Sequence, residues 1–127
     1  MPTDEELLIT TNLRALTSLG VDELRAAAAR AQTAGKRAMS NTIKVKQVGD
    51  HSIDYSIRGP GGVVEQLAFT LSWEAGAEGA RTAVVTRVGN YLTVRPKMFG
   101  IAYGQKRVPA LKSFQQFVDW MKREMAS

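Results

Sequence analysis

The chain of 127 residues contains no cysteine, a single histidine and only short apolar runs. Without cysteine there is no disulfide, no thiolate nucleophile and no cysteine-ligated metal. A single histidine, His51, is too few for most histidine metal sites and weakens any interpretation as a Ser-His-Asp triad. No apolar run approaches the roughly 20 residues of a membrane-spanning helix, and the acidic start MPTDEELL differs from a secretory signal. These absences predict a cytoplasmic protein that needs no cofactor, binds no metal and does not enter a membrane.

The length and the 44% apolar content suit one domain over residues 1–127. No repeat or Pro/Ser-rich linker divides the chain, but the period of the apolar residues changes along it. The pattern predicts a helical part over 1–35, an antiparallel sheet over 42–103 and a helix over 109–126.

The helical part begins at Thr3, which fits a capping box with Glu6. A first helix is expected from Thr3 to about Thr17, although the β-branched residues of Leu7–Asn12 would also suit a short strand. A second helix is expected over Val21–Ala34, because six alanines favour helix and Gly35 suits a C-terminal cap.

Alternating apolar residues and turn residues predict a meander of five or six strands. Gly49-Asp50 suits a two-residue turn with a positive φ at the glycine, and Gly89-Asn90 suits a second two-residue turn. The glycine-rich stretch 59–62 is expected to form a loop between strands. The expected strands are Thr42–Val48, His51–Arg58, Val63–Trp73, Ala80–Val88, Tyr91–Arg95 and, as a short sixth, Met98–Tyr103.

The last helix carries the strongest period-3.6 pattern, and it begins near Pro109. Because so wide an apolar stripe must be buried, we expect this helix to lie on the sheet. The predicted fold is α+β, with an antiparallel sheet covered on one face by the N-terminal helices and the C-terminal helix. The stripe consists of Ala110, Leu111, Phe114, Phe117, Val118, Met121 and Met125, with Trp120 at its edge.

If Leu7–Asn12 is a strand, the order of elements resembles that of helix-grip domains of the Bet v1 or START kind. In those domains a curved sheet wraps the last helix around an apolar cavity, and the resemblance here covers element order alone. It implies a non-catalytic domain that binds a small apolar ligand between sheet and C-terminal helix. The expected pocket residues are Tyr55, Phe69, Trp73, Phe114, Phe117 and Met121.

A second hypothesis comes from the distribution of charge, which is acidic over 1–24 and free of acids over 79–118. Seven basic residues lie in that acid-free stretch, and aromatic and glycine residues are interleaved near its centre. Such a segment is typical either of a solvated surface or of a site for nucleic acid or another polyanion, including an acidic protein partner. The candidate anion-binding residues within the block 81–112 are Arg95, Lys97, Lys106 and Arg107, and Lys44 and Lys46 extend the set.

Catalysis has little support in the sequence, because no nucleophile motif accompanies His51. His51 is expected to be an exposed residue at a hairpin tip. Glu65 either lies among apolar neighbours, with a raised pKa or an arginine partner such as Arg87, or is solvated at the start of its strand. A homodimer formed through Trp73, Trp120 or an exposed edge strand is a further alternative.

Overall fold

The computed structural model is an antiparallel sheet with three helices against one of its faces, and it confirms the predicted fold class. It describes residues 3–35, 41–76, 81–95, 97–98, 101–102 and 107–126. None of the described helices is both long and apolar enough to cross a bilayer. The elements in chain order are α1 (Asp4–Thr11), β1 (Arg14–Thr17), α2 (Val21–Gly35), β2 (Thr42–Val48), β3 (Ser52–Arg58), β4 (Glu65–Glu74), β5 (Thr82–Tyr91), β6 (Lys97–Met98), β7 (Ile101–Ala102) and α3 (Leu111–Ala126).

The first helix is shorter than predicted, and the strand alternative for Leu7–Asn12 is wrong. The capping residue is confirmed, since the Thr3 hydroxyl accepts a hydrogen bond of 3.1 Å from the Glu6 amide. The helix ends at Thr11 because the next residues pair with β5: the Leu13 amide donates to the Thr86 hydroxyl over 2.7 Å. The first strand therefore lies at β1, six residues later than the periodicity suggested. Pairing with β5 therefore decides where the strand lies, and the strand preference of the β-branched residues in Leu7–Asn12 does not.

The five long strands are ordered β1-β5-β4-β3-β2, and all neighbours are antiparallel. Strands β2 to β5 form the predicted meander, while β1 crosses to the far edge and pairs with β5. Residues opposite one another across the sheet therefore come from distant parts of the chain: Arg14 faces Val85, and Val85 faces Ser72.

Both predicted two-residue turns differ from the expectation. At the first, the Gly49 amide donates to the Ser52 carbonyl over 2.8 Å, which places Asp50 and His51 at the tip. The described glycines with positive φ are Gly61 (81°) and Gly62 (70°), in the loop over residues 59–62, so the expectation for Gly49 is wrong.

Gly89-Asn90 is not a turn at all, because β5 continues through it to Tyr91. Val88 faces Phe69 and Asn90 faces Ala68, which leaves Gly89 as the extra residue of a β-bulge. Glycine is common both in β-bulges and in turns, so the Gly89-Asn90 dipeptide alone could not show which of the two it forms. The separate strand predicted at Tyr91–Arg95 is therefore absent; Val94 instead forms a single bridge with Arg107.

The predicted sixth strand, Met98–Tyr103, is present only as two short pieces. Strands β6 and β7 pair with each other and belong to a separate two-stranded sheet. Gly100 and Tyr103 lie outside the described residues.

The core lies between the helices and the inner face of the sheet. The apolar stripe of α3 is confirmed, with Leu111, Phe114, Phe117, Val118 and Met121 buried. The alanines of α2 allow close packing on α3, and Ala27, Ala28 and Ala31 are buried there. The sheet contributes Ile43, Ile53, Tyr55, Ile57, Leu67, Phe69, Leu71, Trp73 and Val84 to the same buried cluster.

Candidate anion-binding surface

The residues predicted to surround an apolar ligand pack against one another. The ring of Phe69 lies 5.0 Å from Tyr55, 5.0 Å from Phe114 and 4.9 Å from Phe117 between centroids. These distances are those of aromatic rings in direct contact. Burial in this cluster raises the pKa of the Tyr55 hydroxyl well above its usual range. Met121 is also fully buried. The geometry is that of a packed core.

Trp73 differs from the other five predicted pocket residues, because a cation covers it. The guanidinium of Arg25 lies 5.0 Å from the centre of the Trp73 ring, within the range of a cation–π contact. The same guanidinium donates to the Gly49 carbonyl over 3.1 Å. Arg25 therefore holds the β2–β3 turn against the sheet, and Trp73 is 4% exposed. Its burial leaves the indole little surface for the dimer contact that the sequence suggested.

Of the predicted anion-binding residues near the end of the basic block, Arg107 already contacts a carboxylate. Arg107 lies 3.7 Å from a carboxylate oxygen of Asp4, and the other Asp4 oxygen accepts from the Val108 amide over 3.0 Å. Arg95 is exposed beyond the end of β5. Lys97 is placed only as part of β6, and Lys106 lies outside the described residues. Asp4 at the start of α1 thus offsets part of the positive charge of the basic block 81–112.

On the helix side of the molecule, Arg30 of α2 is in a similar contact. Arg30 makes two hydrogen bonds to the carboxylate of Glu124, with its Nε 2.8 Å from Oε1. The indole of Trp120 donates to the same carboxylate over 3.2 Å. These contacts lower the pKa of Glu124, chiefly through the hydrogen bond from Arg30.

The opposite face of the sheet is covered by no described helix, and we call it the uncovered face. Its residues follow from the period of two along each strand, combined with the register between strands. Short side chains occupy its centre, so a flat partner can approach the strands closely. The uncovered face includes Arg14 and Leu16 of β1, Ala83, Val85 and Arg87 of β5, Ala68, Thr70, Ser72 and Glu74 of β4, Ser52, Asp54, Ser56 and Arg58 of β3, and Lys44 of β2.

Two carboxylates on or beside the uncovered face, Asp54 and Glu65, have partners, whereas the exposed Glu74 at the end of β4 has no carboxylate contact with a cation in the described structure. Asp54 accepts a hydrogen bond of 2.6 Å from the Thr70 hydroxyl. Glu65 lies 3.1 Å from the ammonium of Lys46. The nearby Ser56 hydroxyl, and after it the Lys46 ammonium, lowers the pKa of Glu65. Of the sequence alternatives for this exposed glutamate, solvation is the correct one, with Lys46 rather than Arg87 as its partner.

Three cations of the uncovered face form no ion pair within the described structure. Within the described residues, Arg14, Lys44 and Arg87 have no carboxylate within 4.0 Å, whereas Arg30, Lys46 and Arg107 do. Arg14, Lys44 and Arg87 are also exposed. Their charge is therefore available to an anion from solution.

The arginines Arg14 and Arg87 border one crevice of about 340 Å³, between the end of α1 and the β1–β5 pair. Sequence reasoning placed Arg87 in the basic block but gave no role to Arg14, which stands alone in an acidic stretch. Only the pairing of β1 with β5 brings Arg14 and Arg87 together, and no local sequence pattern predicts that pairing. Their common face could have been inferred only after the register was known.

The remaining candidates for catalysis do not assemble into a site. His51 is exposed at the hairpin tip, as predicted. Among the residues that the structure describes, no three metal-ligating side chains come together. Comparison with protein-family models, curated proteins and solved structures gives no significant match for this chain.

Proposed function

We propose that this chain is a non-catalytic binding domain that holds a polyanion, the phosphate backbone of a nucleic acid, on the uncovered face of its sheet. One observation carries the proposal: Arg14, Lys44 and Arg87 are exposed without a carboxylate partner on the described structure. An exposed cation without an internal partner can exchange its counterions for phosphates at little cost.

The shape of the uncovered face supports an extended ligand. Ala68, Ser72 and Ala83 have short side chains, so a strand of nucleic acid meets no bulky obstacle as it crosses the sheet. This face carries no aromatic residue on which bases could stack. Binding is therefore expected to depend on phosphate contacts and to be indifferent to base sequence.

The apolar-ligand hypothesis remains a prediction, and the aromatic contacts argue against it. A ligand between sheet and α3 would have to separate Phe69 from both Phe114 and Phe117, which now touch. Densely packed interiors resist such opening. The uncovered face requires no such rearrangement, and for this reason we place the binding function there.

Titration of a labelled single-stranded oligonucleotide at about 50 and about 200 mM salt tests the proposal. If three cations each neutralise one phosphate, the affinity is expected to fall about 20-fold between the two salt concentrations. Oligonucleotides of different base sequence should give nearly the same affinity and the same slope.

Two outcomes of this titration contradict the proposal. One is the absence of binding at the lower salt concentration, and the other is an affinity that does not change between the two. An uncharged polymer of similar length serves as the control, and it should not bind at either concentration.

A further inference from the structure

A chain of hydrogen bonds fixes the orientation of Asn12 at the edge of the Arg14–Arg87 crevice. The Thr86 hydroxyl accepts from the Leu13 amide over 2.7 Å, so its own proton is free to be donated elsewhere. It donates that proton to Oδ1 of Asn12, over 3.3 Å. Because this oxygen is occupied, the remaining polar group of the Asn12 amide is its Nδ2 donor.

The crevice is consequently lined by groups that donate hydrogen bonds and lacks any carboxylate. Arg14 and Arg87 supply guanidinium donors, and Asn12 supplies an amide. Ile9 and Val85 add apolar groups to the lining. Two guanidinium groups that carry no ion pair, set beside an oriented amide, form a site that suits an oxyanion.

The strand register explains why the two arginines share this position. Arg14 faces Val85, and Arg87 lies two residues further along β5, on the same face. The ladder between β1 and β5 begins at Arg14, so no residue of β1 lies opposite Arg87. Asn12 and Leu13, which precede β1, line the crevice together with the two arginines.

We propose that the Arg14–Arg87 crevice is an anchor for one phosphate group, bound by both guanidinium groups and by Asn12. The inference rests on the proposed function and deepens it, because it assigns the strongest of the phosphate contacts to one place. A tetrahedral phosphate offers several oxygens in different directions, as two guanidinium groups and one amide require. The phosphate is either a terminal monoester or a diester within a nucleic acid backbone, and the same donors suit both.

The site is tested by following the Arg Nε and Asn side-chain NMR signals during titration with inorganic phosphate. Arg14→Lys and Arg87→Lys keep the charge but lose the planar fork, and each is expected to weaken phosphate binding about tenfold. Arg81→Lys is the matched control, because Arg81 lies just before β5 and does not line the crevice. It should change the affinity less than twofold.

A second variant tests the crevice by changing the charge of a side chain while keeping its shape. Asn12→Asp keeps the shape of the side chain and an oxygen for the Thr86 proton, but it places a carboxylate beside the site. Phosphate binding should be lost while the amide spectrum stays that of a folded protein. Titration with acetate separates phosphate selectivity from general attraction of anions, and the acetate affinity is expected to be lower.

The source of the phosphate is distinguished by comparing oligonucleotides with and without a 5′-terminal phosphate. A clear preference for the phosphorylated end indicates a monoester, and equal affinity indicates a backbone diester. The inference is overturned if Arg14→Lys and Arg87→Lys behave like Arg81→Lys, even when salt-dependent oligonucleotide binding persists. If inorganic phosphate binds at the crevice but oligonucleotides do not bind, the proposed function fails and the phosphate site stands.

Discussion

Replacing Phe69 by alanine is expected to lower the free energy of unfolding by about 3–5 kcal/mol. The Phe69 ring contacts Tyr55, Phe114 and Phe117, and these three rings connect the middle of the sheet to α3. Removing it costs the transfer free energy of the ring and leaves a cavity that its rigid neighbours can fill only in part. Chemical denaturation monitored by far-UV circular dichroism measures the change.

The same variant distinguishes a packed core from a ligand pocket. Native wild-type protein should not take up an environment-sensitive apolar dye, whereas Phe69→Ala should bind a molecule as small as benzene or xenon in the new cavity. Val63→Ala is the control, because Val63 is 78% exposed and its loss should alter stability by less than about 0.5 kcal/mol. A loss below about 1 kcal/mol for Phe69→Ala, or dye uptake by the wild-type protein, would show that the space between sheet and helix is open.

Reversing both crevice charges, with Arg14→Glu and Arg87→Glu, is expected to reduce oligonucleotide affinity by about 100-fold or more at roughly 50 mM salt. Each arginine contributes a charge-assisted hydrogen bond of about 1.5–3 kcal/mol, so losing two corresponds to more than about two powers of ten. The introduced carboxylates then repel the phosphates that remain. Fluorescence anisotropy of a labelled oligonucleotide measures the loss.

The matched control for this experiment lies on α3. Lys112→Glu with Lys122→Glu changes the net charge by the same amount, at two exposed positions on the helix side of the molecule. Only long-range repulsion should act there, and it is largely screened beyond about 10 Å at moderate salt. Equal losses in the two double variants would mean that net charge governs binding, and that the uncovered face has no special part in it.

The parts of the fold that local periodicity determines were predictable from the sequence. The α3 stripe follows from the spacing of Leu111, Phe114, Val118 and Met121, because one face of a helix must be buried. The hairpin of β2 and β3 follows in the same way from alternation along two adjacent segments. In each case the residues that decide the structure are neighbours in sequence.

The details that depend on long-range pairing were not predictable. Gly89 serves as a bulge because its neighbours Val88 and Asn90 pair with Phe69 and Ala68, some twenty residues away. The helix α1 ends where it does because Leu13 reaches Thr86 across 73 positions of sequence. A single sequence carries no direct signal for either contact.

The candidate site also depends on contacts between distant parts of the sequence. The aromatic residues of the predicted pocket were identified as buried, but sequence alone could not say whether their rings surround a space or fill it. The basic block was visible, yet Arg107 is engaged by Asp4 from the opposite end of the chain. Arg14 acquires its importance only beside Arg87, through the register of β1 with β5.

The most direct test of the account is a map of amide chemical-shift changes as an unlabelled oligonucleotide is added to ¹⁵N-labelled protein. We expect the largest changes in β1 and β5 around Arg14, Val85 and Arg87, smaller ones at Thr70 and Ser72, and almost none along α2 and α3. Changes concentrated on the helices, or an unaltered spectrum at low salt, would contradict the claim that this sheet binds phosphate on its uncovered face.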